Sequence, residues 1–532
     1  MYDHRWDDVW VGIMRWALWL FLFGVGVAAA EGKRPNILFL FADDQSYKTV
    51  SCYPEALPGV KTPNLDALAA RGLRFDFAYM GSWCMASRAS ILTGRHPYGI
   101  ESMRMEGAYP GSAYDPDKCP FWPKVFRQQG YQTVQFGKWH TGTDSGWGRD
   151  WDHQIVWNRP LHPENAGAYF YDQILYEDGV RRLEAGYSTD VYTDWTCEFI
   201  KGRKRDPEKP WMLWLCWGAI HGPTTPAKRH IGKHSGDEIR YPADLLGPRP
   251  GKPEYLEQTQ AWVRGEDGKV YAKRAKGAED AQGVANKKAS SAKSRGVSYD
   301  QWVKQSNDCV EALDEGVGRI VEALRVSGQL ENTLIVYSAD QGFGMGEHGF
   351  KSKLGPWDAT YRSPMIVAMP SRFAQGAVVK QPVNAPDLVS TFFAVAGIEE
   401  PWEMHGRDFS ALLVKPETTA LRPCLYSHTG KEFGHDVTRT LREDPVKAEH
   451  NSVPYYLALN DGTWKYIRYL RQGETEELYD LQADPEELHN LADEPKQSSR
   501  LQRMRELMIA EAKRTRAEFA GAIPASKQMR QE

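Results

Sequence analysis

The pattern of apolar residues predicts an α/β fold, in which a large, mostly parallel sheet is flanked by helices and is followed by a smaller C-terminal α+β domain with an antiparallel sheet. Fully apolar runs of strand length alternate with segments of helical periodicity, the order that a parallel sheet with crossover helices requires. Nearer the C-terminus, short apolar runs separated by turn residues replace that order, as in an antiparallel sheet. At 532 residues, the chain is long enough for two hydrophobic cores.

Four of the apolar runs end in residues that can do chemistry. They are 36–42 before Asp43 and Asp44, 132–137 before Lys138 and His140, 211–217 before His221, and 333–338 before Asp340 and Gln341. Each run is composed like a buried strand. Because ligands gather at the carboxyl ends of parallel strands, we expect these polar groups to meet in one crevice.

Segments with helix signals lie between these strands. Residues 62–72 begin with Thr62 as a cap and Pro63 in the first turn, and they end at Gly72. Residues 309–324 carry apolar residues at helical spacing just before the Asp340 strand. The sequence therefore predicts helices at both places.

We expect residues 31–415 to form the large domain and 416–532 the smaller one. Within the first, residues 250–297 are hydrophilic with almost no aliphatic residues, and we interpret them as a surface excursion, partly helical or mobile. Within the second, runs at 455–459 and 464–468 flank the turn Asn460-Asp461-Gly462, which predicts a hairpin. A helix rich in Arg, Glu and Leu follows from about 498 to 519.

Residues 1–30 read as a secretory signal peptide. Arg15 precedes an apolar run, and three alanines at 28–30 then meet a polar sequence, as at a cleavage site. A single-span anchor is the alternative. We therefore expect a secreted or periplasmic protein with no membrane attachment after signal cleavage.

Charge and cysteine content exclude other classes. A net charge of −4, with Lys and Arg spread along the chain, gives no sign of nucleic acid binding. Seven cysteines in a chain of this size do not make a disulfide scaffold. Any pairing among Cys52, Cys119, Cys309 and Cys424 stays open.

A cysteine motif carries the most specific signal. Cys84 lies two residues before Ala86 and four before Arg88, and Leu-Thr-Gly-Arg follows at 92–95. This run resembles the signature of the type I sulfatases, in the alkaline phosphatase-like superfamily, whose cysteine is oxidised to formylglycine. Many members carry Pro at the position of Ala86. The resemblance extends from residue 35 to about 491, without the 250–297 excursion.

Formylglycine suits sulfate ester hydrolysis. Its hydrate carries two hydroxyls on one carbon, so that one can attack sulfur and the other can expel sulfate without attack by water on sulfur. The resemblance implies conversion of Cys84 and, as a partner, an enzyme that generates formylglycine.

The resemblance also implies a metal site and a set of catalytic residues. The metal ligands are Asp43, Asp44, Asp340 and Gln341, together with the converted Cys84; this oxygen-rich set favours one Ca²⁺ over Mg²⁺. Gln341 replaces the commoner Asn or His. The catalytic positions are Arg88 on the formylglycine hydrate, Lys138 and Lys353 on sulfate, His140 as the base beside the diol, and His221 as the acid for the leaving oxygen.

Two lysines compete for one position. Lys353 is chosen over Lys351 because it stands nine residues before Arg362, although Trp357 and Asp358 depart from the usual Tyr-Glu. His348 could contact substrate or simply pack.

The sequence therefore predicts an exported sulfatase that acts on a sulfate ester, with a sulfated carbohydrate as the expected substrate class. A formylglycine-dependent phosphodiester or phosphonate monoester hydrolase is the nearest alternative. A non-catalytic protein that binds sulfated glycans is an alternative of another class. Aromatic residues from Trp147 to Tyr171 could line a sugar rim or belong to the core.

Overall fold

The computed structural model describes residues 33–100, 117, 119–159, 167–273, 295–417, 421–430 and 449–530. The predicted signal peptide and residues 274–294 of the excursion lie outside these ranges. Within them, no helix has the length and apolar character needed to cross a membrane. The described residues from Pro35 onwards fall in one compact unit.

The large sheet has ten strands among the described residues, and its centre is parallel. In spatial order they are β14 (Ala377–Val379), β2 (Leu73–Phe75), β13 (Met365–Ala368), β12 (Thr333–Ala339), β1 (Asn36–Ala42), β8 (Trp211–Cys216), β4 (Gln132–Lys138), β5 (His153–Trp157), β6 (Tyr171–Glu177) and β7 (Val180–Tyr187). The run from β12 to β5 is parallel, whereas β13 and β6 join it antiparallel. The predicted fold class is confirmed, and antiparallel strand pairs flank the parallel centre on both sides.

The four strands predicted to carry the chemistry, β12, β1, β8 and β4, are direct neighbours in that sheet. Every residue of β1, β8 and β12 is buried, because helices cover both faces. Side chains of β1 therefore alternate between two cores: Phe39 packs in one and Leu40 in the other.

Ten α-helices occur among the described residues. They are α1 (Pro63–Ala70), α2 (Cys84–Thr93), α3 (Trp122–Gln128), α4 (Ser188–Ile200), α5 (Leu256–Thr259), α6 (Tyr299–Val326), α7 (Asp358–Tyr361), α8 (Ala385–Ala396), α9 (Ser410–Val414) and α10 (Ser498–Arg514). α2, α3 and α8 bury apolar residues against one face of the sheet, and α1, α4 and α6 do so against the other.

The predicted cap of α1 is supplied by a different residue. Thr62 stands at the cap position, but its hydroxyl bonds to the side chains of Ser51 and Asp66 instead of to a backbone N–H of the helix. Asp314 of α6 accepts the N–H groups of Asn64 and Leu65, at 3.1 and 2.9 Å. The start of α1 is thus stabilised from another helix, a long-range contact that the local sequence could not reveal.

The predicted C-terminal antiparallel sheet is also confirmed. It contains β16 (Cys424–His428), β17 (Tyr456–Asn460), β18 (Trp464–Tyr469) and β19 (Glu477–Asp480). The turn between β17 and β18 uses Gly462 at φ 95°, which favours glycine, and the Asp461 side chain accepts the Trp464 N–H at 2.7 Å. α10 packs on this sheet.

Residues 250–297 are predicted to be a surface excursion, partly helical or mobile, and the described part of this segment also contains strands that this interpretation does not include. That part holds the short helix α5 and the strands β9 (Trp262–Arg264), β10 (Val270–Lys273) and β11 (Arg295–Ser298), which form an antiparallel sheet. Trp262 is buried against Tyr299 and Trp302, so one aromatic side chain anchors an otherwise polar segment. A separate pair, β3 (Ala78–Tyr79) and β15 (Val383–Asn384), is parallel.

A buried cluster of charges joins the small antiparallel sheet to helix α7. Lys465 of β18 contacts Asp358 of α7 and lies 2.8 Å from Glu487. All three side chains are buried, and burial raises the pKa of Glu487 to about 7. The lysine therefore compensates two carboxyl groups that water cannot reach.

Lys465→Met is expected to destabilise the fold by about 3–5 kcal/mol, because it leaves Glu487 buried without its lysine and Asp358 with only the more distant Arg362, at 4.0 Å. Denaturant unfolding measures the change. Lys496→Met, at an exposed position, serves as the control and should shift stability by no more than about 0.5 kcal/mol. Equal stability of the two variants would contradict a structural role for this cluster of charges.

Candidate active site

Side chains from four strand ends meet at the first turn of α2. Asp43 follows β1, Asp340 follows β12, Lys138 ends β4, and His221 comes five residues after β8. Because these strands are parallel neighbours, their carboxyl ends share one edge of the sheet. Cys84, the first residue of α2, lies among them.

The position of Cys84 favours a bound anion. Trp83, which precedes it, makes no side-chain cap, so side chains leave the first N–H groups of the ten-residue helix α2 available. Such N–H groups and the helix dipole attract negative charge. Burial, followed by the charge of Asp43, raises the pKa of the Cys84 thiol to about 12. An unmodified Cys84 is therefore a protonated thiol at neutral pH.

Three carboxylates crowd beside this thiol. Ligand atoms of Asp43, Asp44, Cys84 and Asp340 all lie within 4.8 Å of one another, and all four residues are buried. Asp43 Oδ1 has no hydrogen-bond partner, and burial together with Asp43 raises the pKa of Asp340 to about 8. This donor set fits a hard divalent cation, which would relieve the repulsion among the acids.

Gln341 completes the same cluster. Its amide nitrogen contacts Asp44 Oδ1 and lies 3.8 Å from Cys84 Sγ, while its oxygen is 3.4 Å from the Ser87 hydroxyl. The two ends of an amide are nearly isosteric, so rotation would present the oxygen to a cation. The extra methylene of Gln341 relative to Asn is accommodated without removing it from the cluster.

Three cationic side chains enclose the carboxylates. Arg88 donates to Asp340 at 3.2 Å, and Lys138 donates to Asp43 at 2.5 Å. Lys353 Nζ lies 2.6 Å from Asp44 and 2.9 Å from Cys84 Sγ. Although burial acts in the opposite direction, these acids hold the pKa of Lys138 and of Lys353 above the ordinary value. All three side chains remain charged at neutral pH.

Two histidines lie on different sides of the cluster. His221 Nδ1 is 2.7 Å from the Gly222 carbonyl, which can only accept, so Nδ1 carries the proton and Nε2 faces Asp44 at 3.5 Å. Burial lowers the pKa of His221 to about 4. Burial and then the charge of Lys138 hold the pKa of His140 well below its ordinary value, so both rings are neutral.

The sequence did not single out two neighbours of these histidines. Tyr169 stacks on His221 with centroids 4.0 Å apart, and its hydroxyl is 3.2 Å from His221 Nε2. Arg159 covers the Tyr169 ring at 5.1 Å and approaches His140 Nε2 at 3.4 Å. Tyr169 belonged to a conspicuous aromatic stretch, whereas nothing in the sequence distinguished Arg159.

Most of the aromatic stretch proves to be core. Trp151 and Trp157 are fully buried, and only Trp147 is strongly exposed. The sugar-rim alternative is therefore wrong for Trp151 and Trp157.

His348 and Lys351, the two other candidates close to Lys353 in the sequence, lie away from the carboxylate cluster. His348 packs: its Nδ1 is 2.7 Å from Asp244 and its ring lies on Trp357. Lys351 lies over the Trp302 ring at 5.4 Å, whereas Lys353 reaches Cys84. No disulfide bond is present among the cysteines in the described part of the chain.

Comparisons with known proteins agree with this architecture. The sulfatase family model matches residues 35–398, and a model for the C-terminal part of N-sulphoglucosamine sulphohydrolase matches residues 346–514. An N-acetylglucosamine-6-O-sulfatase of Bacteroides thetaiotaomicron is 30% identical over 489 residues, which cover 86% of this chain and 82% of that protein.

Solved structures extend the comparison. BT4656, solved in complex with its substrate D-glucosamine-2-N,6-O-disulfate, superposes with a TM-score of 0.73 at 25% identity, over 92% of this chain and 100% of that one. A phosphonate monoester hydrolase of Agrobacterium radiobacter superposes with a TM-score of 0.61 at 19% identity, over 91% of this chain and 96% of that one. The second likeness shows a shared fold.

The fold and the matching relatives define a sulfuric ester hydrolase with the alkaline phosphatase-like architecture. The chain belongs to the type I sulfatase family, as the Cys84 motif predicted.

Proposed function

We propose that this protein is an exported sulfatase that hydrolyses a sulfate ester of a carbohydrate, with formylglycine formed from Cys84 as the nucleophile. The observation that carries the proposal is the position of Cys84 at the start of α2, with Lys353 Nζ at 2.9 Å and three carboxylates around it. A sulfate ester needs such an arrangement of positive charge, anion-binding N–H groups and a nucleophile.

Asp43, Asp44, Asp340 and Gln341, with the converted Cys84, would hold one divalent cation, for which we propose Ca²⁺. All these protein ligands can present oxygen, and a flexible oxygen set favours Ca²⁺ over Mg²⁺. When bound, the cation supplies Lewis-acid stabilisation of negative charge on the sulfate oxygens.

The side chains of this protein have separate roles in the proposed hydrolysis. One hydroxyl of the formylglycine hydrate would attack sulfur while its proton passes to Asp44, whose Oδ1 lies 3.9 Å from Cys84 Sγ, and the sugar oxygen would leave with its bonding electrons. Lys138 and Lys353 face negative charge on the sulfate, and Arg88 holds the hydrate. His140, neutral because of its burial and neighbouring cations, takes the proton of the second hydroxyl; the aldehyde reforms as the bond to sulfate breaks.

His221 is the proposed acid for the departing sugar oxygen. Its Nε2 is the ring nitrogen without a proton, because Nδ1 donates to Gly222, and it lies 3.5 Å from Asp44 of the carboxylate cluster. A neutral imidazole must gain a proton before it can donate one. The negative charge of an arriving sulfate ester favours that protonation.

His221→Ala is expected to slow a sugar sulfate at least about tenfold more than nitrophenyl sulfate, since a good leaving group needs less protonation. Steady-state kcat/KM values on the two esters measure this difference. His489→Ala, at an exposed histidine, should leave both unchanged. If His221→Ala slows the two esters by the same factor, then His221 is a binding residue and not the acid.

The proposed carbohydrate substrate is supported by relatives. The Bacteroides thetaiotaomicron relative is named for a 6-O-sulfated amino sugar, and BT4656 was solved with a doubly sulfated glucosamine. We therefore propose a sulfated saccharide, with sulfated hexosamines as the first compounds to assay.

Comparing an aryl sulfate with an aryl phosphonate monoester tests the proposed activity against its nearest alternative. Both esters are singly charged tetrahedral anions, so the comparison changes little besides the central atom. We expect at least about tenfold higher kcat/KM on the sulfate. A preference for the phosphonate would favour a phosphonate monoester hydrolase, and binding without turnover of either ester by converted protein would favour a glycan-binding protein.

Export and maturation complete the proposal. The composition of residues 1–30 supports a signal peptide and hence a secreted or periplasmic location. The motif from Cys84 to Arg88 supports recognition by a formylglycine-generating enzyme. Expression with and without such an enzyme should change the activity of the purified protein, and equal activity would contradict this dependence.

A further inference from the structure

Lys351 is a half-buried lysine that has no acidic partner among the described residues. Its ammonium lies 5.4 Å from the Trp302 ring and 5.9 Å from the Trp262 ring. Burial lowers its pKa, and in the part of the chain that the structure describes no carboxylate lies within the 4.0 Å of an ion pair. Aromatic rings hold an ammonium in place, but they do not neutralise its charge.

Five more deeply buried lysines in the described part of the chain each have an acid nearby. The pairs are Lys48 with Glu347 at 2.7 Å, Lys138 with Asp43 at 2.5 Å, Lys252 with Glu477 at 3.6 Å, Lys353 with Asp44 at 2.6 Å, and Lys465 with Glu487 at 2.8 Å. An enclosed charge is costly unless a counter-charge accompanies it. Lys351 has no such acid among the described residues, and because part of its side chain reaches solvent, an anion from outside the chain can pair with it.

The backbone around Lys351 is fixed. The Phe350 carbonyl accepts the Trp262 indole N–H at 2.9 Å, and the Ser352 carbonyl accepts the Gly344 N–H at 2.9 Å. Lys351 is also half-buried, so part of it reaches solvent. It is therefore held in position but accessible to a ligand, unlike a mobile surface lysine.

The same loop carries a residue of the active site. Lys353, whose ammonium touches Cys84 Sγ, is two residues further along, so the two Cα atoms are at most about 7 Å apart. A saccharide with its sulfate ester at Cys84 is thus bound close to the loop that presents Lys351.

We propose that Lys351, over Trp262 and Trp302, binds a second anionic group of the substrate, so that the preferred substrates are saccharides bearing a carboxylate or another sulfate besides the ester that is cleaved. This inference rests on the proposed sulfatase function and narrows its substrate class. Lys351 is then a residue that determines specificity. It does not take part in the bond-breaking step.

The test combines a change in the enzyme with a change in the substrate. Three saccharide sulfates are compared: one with the cleaved sulfate alone, one with an additional sulfate, and one with a neighbouring uronate carboxylate. Each is assayed with the converted wild-type enzyme and with Lys351→Met, which keeps the apolar stem against the tryptophans. Lys351→Arg, which keeps the charge, is the matched control.

We expect the wild-type enzyme to favour one or both doubly anionic substrates in kcat/KM, and Lys351→Met to lower that preference about tenfold, as loss of a charge-assisted contact does. Lys351→Arg should keep most of the preference for doubly anionic substrates. Because the preference is a ratio, it does not depend on the fraction of folded enzyme. The doubly anionic substrate whose preference falls in Lys351→Met identifies the second anion as sulfate or carboxylate.

Three results would overturn the inference: no wild-type preference for a second anion, an undiminished preference in Lys351→Met, or equal losses on all substrates. Failure of the sulfatase proposal itself is recognised separately, because the converted wild-type enzyme would then cleave no sulfate ester. In that case, equilibrium binding of the disulfated saccharide to Cys84→Ala, with and without Lys351→Met, still tests Lys351. An undiminished affinity in the double variant would overturn its role.

Discussion

Cys84→Ala is expected to lower kcat for a sulfate ester by about 10⁴-fold or more, because removal of a nucleophile leaves only binding and charge stabilisation. The side chain is small and occupies the first turn of α2, so the midpoint of thermal unfolding should stay within about 4 °C of wild type. Assays of kcat and thermal unfolding on the same preparation measure both effects.

Cys309→Ala is the matched control for this variant. Cys309 is equally buried, but it lies on α6, where its thiol contacts Tyr187 and the Thr225 carbonyl. We expect this variant to retain activity. Substantial turnover by Cys84→Ala would show that the nucleophile is elsewhere.

Asp340→Ala is expected to remove both the bound cation and the activity. Asp340 supplies one of the three clustered carboxylates, and it is also the partner of Arg88 at 3.2 Å. The variant therefore loses a ligand and leaves Arg88 with Asp43, at 3.9 Å, as its remaining carboxylate partner in the described structure. Elemental analysis should find about one divalent ion per wild-type chain and far less in the variant, with kcat lowered at least about 10²-fold.

Asp314→Ala provides the control for the metal prediction. Asp314 is buried like Asp340, but it caps α1 and belongs to no metal-binding group in the described part of the chain. Its loss should cost about 1–2 kcal/mol of stability and leave metal content intact. Full activity of a wild-type preparation shown to be free of metal would contradict the proposed cation site.

The strand-end residues could be predicted because each follows a recognisable sequence pattern. β1, β8 and β12 are buried on both faces, so they read as uninterrupted apolar runs, and a polar residue directly after such a run is conspicuous. Parallel pairing then brings Asp43 and Asp340 to the same edge.

Other residues of the site follow no such sequence pattern. Lys353 could be chosen only by its spacing from Arg362, and the contact that matters, with Cys84, crosses 269 positions of the chain. Arg159 is a single arginine shortly after β5, and its position over Tyr169 is a contact between residues ten positions apart that no sequence pattern marks. Tertiary contacts of this kind have no local periodicity.

Short elements account for the remaining differences in the fold. β9, β10 and β11 have only three or four residues each, too few for a visible alternation, and one tryptophan supplies much of the burial. The capping of α1 by Asp314 joins residues about 250 positions apart. Both features depend on partners that only the folded chain brings together.

Mass spectrometry of one peptide tests the central claim most directly. Trypsin should release residues 75–88, between Arg74 and Arg88, and this peptide contains Cys84 as its single cysteine. In active preparations we predict the mass of formylglycine in place of the thiol, with activity rising in proportion to the converted fraction. Active protein in which this peptide carries only the unmodified thiol would contradict the account.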